Sequence, residues 1–145
     1  MELLSQSPQE TQDIAAKLAA KVLLIKPEET AAIITLEGDL GAGKTTFVQG
    51  FTKALGINEA VKSPTFLLIK KYAAQDKRHL YHIDCYRVNN YHELLSLEIE
   101  EILKDPSNIV LIEWAERITP ILPADRITVN LEHLAHNTRR ISITP

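Results

Sequence analysis

The eight residues Gly38-Asp39-Leu40-Gly41-Ala42-Gly43-Lys44-Thr45 constrain this chain more than any other stretch of it. They fit G-x-x-x-x-G-K-[ST] at every fixed position. The flanks matter as much as the string. Before it runs Ala31-Ala32-Ile33-Ile34-Thr35-Leu36, a compact apolar run that ends at Glu37-Gly38 and reads as a buried strand. After it, from about Lys44, the residues Phe47, Phe51 and Leu55 recur at helical spacing, with Gly56 as terminator. A strand that turns through glycines into a helix aims backbone N–H groups and the positive end of the helix dipole at one point, which suits a phosphate. On this reading Lys44 meets the β/γ-phosphates of a nucleoside triphosphate, the Thr45 hydroxyl ligates Mg²⁺ and Thr46 donates to the α-phosphate. The alternative is a turn that merely redirects the chain. It would have to match four fixed positions in the right context by chance, with glycine at about 7% of average usage.

The remaining pattern predicts an α/β fold with a central parallel sheet and antiparallel strands at its edges, in a single domain over 1–145. Ser7-Pro8-Gln9-Glu10 reads as a helix start with a serine cap and a capping box. Ile14, Leu18, Val22 and Ile25 then supply the apolar stripe. Phe66–Tyr72 and His79–Asp84 read as a hairpin. Tyr91–Leu103 reads as one helix, with Leu95, Ile99, Ile102 and Leu103 inward and Glu93, Glu98, Glu100 and Glu101 mostly outward. Ile109–Ile112 is a further buried strand after the turn Asp105-Pro106-Ser107-Asn108. Beyond the proline-punctuated Thr119–Pro123, alternation at Ile127, Val129, Leu131 and at Ile141, Ile143 predicts a final antiparallel pair.

A phosphate loop needs a further carboxylate to hold magnesium or its waters and to orient the attacking water. Asp84 and Glu113 both close apolar strands, and ligand groups gather at the carboxyl ends of parallel strands. Either could instead be a helix cap or a surface charge. Lys62-Ser63-Pro64-Thr65-Phe66 stands where a γ-phosphate sensor would, and is equally good turn chemistry. Arg87 reads as an ordinary salt-bridge partner, and Trp114, the only tryptophan, as half-buried packing with a place near the nucleotide as the alternative. No arginine sits in or next to the loop in the sequence.

Other chemistries find little support. His79 and His82 are three apart on a strand and so face opposite sides, which argues against a shared metal. No guanine-reading [NT]-K-x-D motif is present, so ATP is the expected nucleotide. The 16 basic residues do not outnumber the 19 acidic ones, so the chain lacks the basic stripe that would hold a nucleic acid unaided. One cysteine, Cys85, no apolar run of membrane-spanning length and no visible signal peptide lead to the expectation of a cytoplasmic protein.

The phosphate loop with Thr46, then Val61-Lys62-Ser63-Pro64-Thr65-Phe66, then Tyr81-His82-Ile83-Asp84-Cys85-Tyr86-Arg87, then Leu111-Ile112-Glu113-Trp114 and the late Leu122-Pro123 together resemble the TsaE family. The resemblance spans nearly the whole chain in order. It implies the small bacterial ATPase of tRNA threonylcarbamoyladenosine synthesis, with a P-loop fold, ATP and Mg²⁺ as cofactors, and TsaB and TsaD as partners that hold the tRNA. By the same resemblance Asp39, Leu40, Gly41, Ala42, Gly43, Lys44, Thr45 and Thr46 bind the nucleotide, Thr11 contacts its base, and Ser63-Pro64-Thr65 is a switch-like segment. Lys44, Asp84 and Glu113 are then catalytic, and Thr45, Glu113 and Asp84 form the magnesium group. Two positions depart from the family pattern: Cys85 stands where leucine is usual, and Glu98 where glycine is.

Two other classes of function compete. A small-molecule or nucleoside kinase would need an acceptor pocket and commonly an arginine-bearing lid, for which only Arg78 and Arg87 lie in the middle of the chain. A pure interaction module would use its nucleotide only to gate binding.

Overall fold

The computed structural model describes residues 1–25, 29–39, 41–61, 69–95 and 98–145. Along the chain run β1 (Glu2–Ser5), α1 (Pro8–Leu24), β2 (Ala32–Glu37), α2 (Lys44–Ala54), β3 (Ile69–Ala73) and β4 (His79–Asp84). Then come α3 (His92–Leu95), α4 (Ile99–Lys104), β5 (Asn108–Glu113), a 3-10 segment (Ala115–Ile121), β6 (Ile127–Ala135) and β7 (Thr138–Thr144). The strands form one seven-stranded sheet in the order β1-β7-β6-β2-β5-β4-β3. Its centre is parallel, β6, β2, β5 and β4 running together, while β3, β7 and β1 pair antiparallel outside them. This is the expected α/β architecture.

Alternation along the strands sorts side chains onto two faces. Ile34 and Leu36 of β2, Leu80 of β4 and Ile109 and Leu111 of β5 join one core with Phe47 and Phe51 of α2 and Leu18 and Val22 of α1. Ile33, Ile83, Val110 and Ile112 point the other way, into a second core with Leu94, Ile99, Leu103 and Ile118. Strand β5, between β2 and β4 in the parallel part of the sheet, is buried along its whole length, as a strand covered on both faces must be.

The start of α1 follows its sequence signal. Ser7 accepts from the Glu10 backbone N–H at 3.1 Å, while the Glu10 carboxylate reaches back to the Gln6 N–H at 2.7 Å, one residue before the cap. Its end does not follow: Ile25 lies beyond the helix in extended backbone and is half exposed, so the buried stripe is Thr11, Ala15, Leu18, Ala19 and Val22.

The larger correction concerns Tyr91–Leu103. The chain forms two short helices there, α3 and α4, and Glu98 sits between them in the left-handed region at φ 60°. An α-helix cannot run through such a residue. Periodicity reports which residues face the core, and Ile99 and Leu103 do so; it does not report a left-handed residue at the start of a helix. Two elements carried no sequence signal. The edge strand β1 is four residues long, and the 3-10 segment contains Pro120. The first three residues of the strand expected at Phe66–Tyr72 lie outside the described residues.

Candidate functional site

Strand β2 delivers the chain to Gly38 at the carboxyl end of the sheet. Gly38 has φ 145°, and a Cβ there would stand 2.5 Å from the Leu131 carbonyl oxygen of β6, so any side chain would push loop and strand apart. The loop turns through Gly41 (φ 83°) and Gly43 (φ 103°), with the Ala42 N–H closing on the Asp39 carbonyl at 3.1 Å, and α2 begins at Lys44. Gly43 caps α2 without a side chain, which leaves the first N–H groups of the helix facing the loop. Leu40 lies outside the described residues, as do Ser63, Pro64 and Thr65.

Lys44 is only 6% exposed. Its ammonium donates to the Gly38 carbonyl and lies 3.8 Å from the centroid of the Trp114 ring. Burial lowers its pKa, opposed by the negative charges of Glu113, Glu116, Asp84 and Asp39. A buried cation aimed along a glycine loop, with a carbonyl dipole and an aromatic face as its local partners, suits an incoming phosphate oxygen. Thr45 is exposed in the first turn of α2, and Thr46 is half-buried beside it.

Both candidate carboxylates come to the same edge. Asp84 and Glu113 are register partners at the ends of the parallel strands β4 and β5, on the face that carries α2. Glu113 is buried, its Oε2 2.7 Å from Nε2 of His82, which is also buried. Asp84 is 9% exposed and accepts the Tyr86 backbone N–H at 2.9 Å. Among the described residues no three His, Cys, Asp or Glu gather into a metal cage. The hydroxyl of Thr45 with one or two carboxylates is instead the hard-oxygen set that Mg²⁺ takes when phosphates and waters complete its shell. These residues fit that ion.

Trp114 adopts a left-handed backbone (φ 58°) directly after β5, and this turn carries its ring over Lys44 and to 5.0 Å from the Tyr86 ring. It is half-buried, as expected of packing, and it lies at the loop. Arg87 is exposed, with no ion pair among the described residues, against the salt bridge expected for it. An open cleft of about 840 Å³ runs beside the loop, lined by Gly38, Asp39, Ala42, Trp114 and Glu116.

Thr11 arrives from the other side. It is buried on α1, shares a hydrogen bond of 2.7 Å with the Ser5 hydroxyl, and lines a small cavity of about 40 Å³ with Ser7, Gly43 and Thr46. Asn137 and Arg139 line the same cavity, and Arg139 Nε would stand 3.7 Å from a Cβ on Gly43. No arginine adjoins the loop in the sequence, but Arg139 does so in space. Arg139 lies 96 positions after Gly43 in the chain, and only the pairing of β7 with β6, and β6 with β2, brings it there. No local motif could have found it. Arg78, by contrast, is tied to Asp76 at 2.7 Å and to the Leu23 carbonyl at 3.0 Å, which does not make a lid.

The family model described as "Threonylcarbamoyl adenosine biosynthesis protein TsaE" matches residues 5–141. The chain belongs to the TsaE family. It is 41% identical to the tRNA threonylcarbamoyladenosine biosynthesis protein TsaE of Bacillus subtilis (strain 168), covering 95% of this chain and 81% of that protein. It is 43% identical to the protein of the same name from Nostoc sp. (strain PCC 7120), covering 92% and 82%. The crystal structure of YdiB from Bacillus subtilis superposes with a TM-score of 0.73 at 33% identity, over 99% of this chain and 83% of that one. The fold is thus the P-loop α/β fold of the family. The two departures from the TsaE pattern can also be read in the structure. Glu98 holds a left-handed position, where glycine carries no steric cost, and Cys85 is buried on the face away from α2. Burial pushes the Cys85 thiol up to about 12, with the neighbouring Asp84 charge acting in the same direction.

Proposed function

We propose that this chain is a P-loop ATPase acting in tRNA threonylcarbamoyladenosine biosynthesis, with ATP and Mg²⁺ as cofactors and the TsaB–TsaD pair as partner. One observation carries the reading: buried Lys44 in a glycine loop, with Asp84 and Glu113 side by side at the ends of adjacent strands. In this reading the loop from Asp39 to Thr46 wraps the phosphates, Lys44 neutralises the β/γ charge, and Thr11 lies on the side toward the base. Thr45 and Glu113 hold the cation, which when bound withdraws charge from the phosphates. Asp84 orients the attacking water. The family's printed role supports the tRNA assignment. The chain's own charge, −3, supports contact with tRNA through partners rather than directly. No described helix is long and apolar enough to cross a membrane, and a cytoplasmic setting belongs to the same proposal.

The test is phosphate release by the purified protein alone, with TsaB–TsaD, and with candidate acceptor compounds. Slow release alone that rises with TsaB–TsaD, together with tighter TsaB–TsaD binding in ATP, supports the reading, because coupling between two ligands is reciprocal. Phosphate transfer to an acceptor with no effect of TsaB–TsaD would replace it with a kinase. ATP binding that changes partner affinity without any phosphate release would leave only the interaction module.

A further inference from the structure

His82 is 1% exposed and lies two residues before Asp84, so the two side chains share the α2 face of β4. Its partner across the register is Leu111, and Glu113 stands diagonally beyond. There the His82 Nε2 meets Glu113 Oε2 at 2.7 Å. The other ring nitrogen, Nδ1, is buried without a partner among the described residues. A hydrogen on Nδ1 would be a buried donor left unmade, so the favoured tautomer carries it on Nε2 and donates to the carboxylate.

The terminal torsion of a glutamate is broad, and a carboxylate held by nothing turns toward the nearest cation. One such cation is Lys44, on which the Glu113 charge acts foremost of four carboxylates. Yet the Lys44 hydrogen bond goes to the Gly38 carbonyl. We propose that His82 is a positioning residue for Glu113: its Nε2–H holds Oε2, keeps the carboxylate off Lys44, and reserves the other oxygen for the cation that accompanies a bound nucleoside triphosphate. This rests on the ATPase reading above. It adds a residue to which no role has been given, and it makes the H-x-D spacing functional at both ends, His82 through Glu113 and Asp84 directly.

The experiment titrates Mg²⁺ against nucleotide binding, followed by fluorescence of Trp114, the chain's only tryptophan and a neighbour of Lys44. Nucleotide affinity in excess EDTA and thermal melting are measured alongside. His82→Leu removes the donor, whereas His82→Gln places an amide N–H near the Nε2 position. In His82→Leu the Mg²⁺ midpoint should rise roughly 10-fold or more, the usual effect of losing a group that orients a metal ligand, while affinity in EDTA stays within about twofold. His82→Gln should recover most of that shift. An unchanged midpoint in His82→Leu, an equal loss of affinity with and without Mg²⁺, or a shift that His82→Gln does not recover would each overturn the proposal and leave His82 a packing residue. If His82→Leu fails to fold, His82→Asn, whose amide stops short of Glu113, takes its place against His82→Gln under the same criteria. Wild-type protein that binds no nucleotide in Mg²⁺ would overturn the ATPase reading itself, a result no His82 variant can mimic.

Discussion

On one face of the sheet lie helices of 17 and 11 residues, α1 and α2; on the other lie pieces of four, six and seven residues. The long helices pack on each other as well as on the strands, and their seam is tight. A Cβ at Gly50 of α2 would stand 2.5 Å from the Gln12 Cα and carbonyl oxygen of α1. The short pieces cannot rest on their own hydrogen bonds, since one or two turns barely offset the cost of starting a helix. Two of them start from residues held in the left-handed region, α4 from Glu98 and the 3-10 segment from Trp114, and their first residues Ile99 and Ala115 are buried in the second core. The difference teaches where rigidity is needed. The phosphate loop starts α2 and inherits the fixed position of the α1–α2 pair. The opposite face carries strain and a buried thiol, and reaches the site through the turn that swings Trp114 over Lys44 and through Glu116, which lines the cleft beside the loop.

This contrast can be broken most sharply at Lys44. Lys44→Ala should weaken nucleotide binding by roughly 100-fold or more, the ~3–5 kcal/mol lost when a buried charge is left without its partner, and should leave melting nearly unchanged. Equilibrium binding beside a melting curve checks it. A parallel loss of stability would make the loop face structural first.

Gly50→Ala comes next. Forcing the seam open should cost about 1–3 kcal/mol in denaturant unfolding and weaken nucleotide binding as well, because α2 carries the loop. If binding survived intact, the loop would not depend on the α1–α2 seam, and the contrast between the faces would weaken.

On the other face, Cys85 gives a pH signature. Its thiol holds its proton to about 12 in the folded chain, against 9.0 ordinarily. The unfolded state therefore loses that proton first, binds fewer protons than the folded state above the ordinary value, and is favoured as pH rises. By about pH 10 the folded protein should have lost about 1.4 kcal/mol from this group alone, and Cys85→Ala should flatten that part of the curve. A native thiol that reacts readily with an alkylating reagent near pH 8 would contradict the burial.

The smallest effect has the opposite sign. Glu98→Gly removes a left-handed non-glycine residue, worth ~1–2 kcal/mol, at the expense of glycine's own ~0.5–1 kcal/mol of chain entropy. A net gain of about 0.5–1 kcal/mol should appear as a melting temperature higher by about 2–4 °C, with nucleotide binding unaffected. A fall in melting temperature would mean that Glu98 makes a contact worth more than its strain.

Legibility followed the same division. The loop, α2 and the strands carrying Asp84 and Glu113 could be read because their signals are local: glycines at fixed spacing, an apolar run, a carboxylate at its end. The single helix expected over Tyr91–Leu103 failed because the spacing of Ile99 and Leu103 reports the inward face of α4 and says nothing of the left-handed residue that precedes it. Ile25 failed for a related reason, as the stripe continued one step beyond the point where the backbone left the helix.

The sequence by itself determined the α/β class, the glycine loop, and that Asp84 and Glu113 close apolar strands, since each depends on residues close together in the chain. Tertiary structure alone decided which groups face one another. Sheet order brought Arg139 against Gly43, parallel register set Asp84 beside Glu113, and strand alternation turned His82 toward Glu113 instead of solvent. Those are contacts between residues dozens of positions apart, fixed by pairing and burial along the whole sheet, and no local pattern in the chain encodes them.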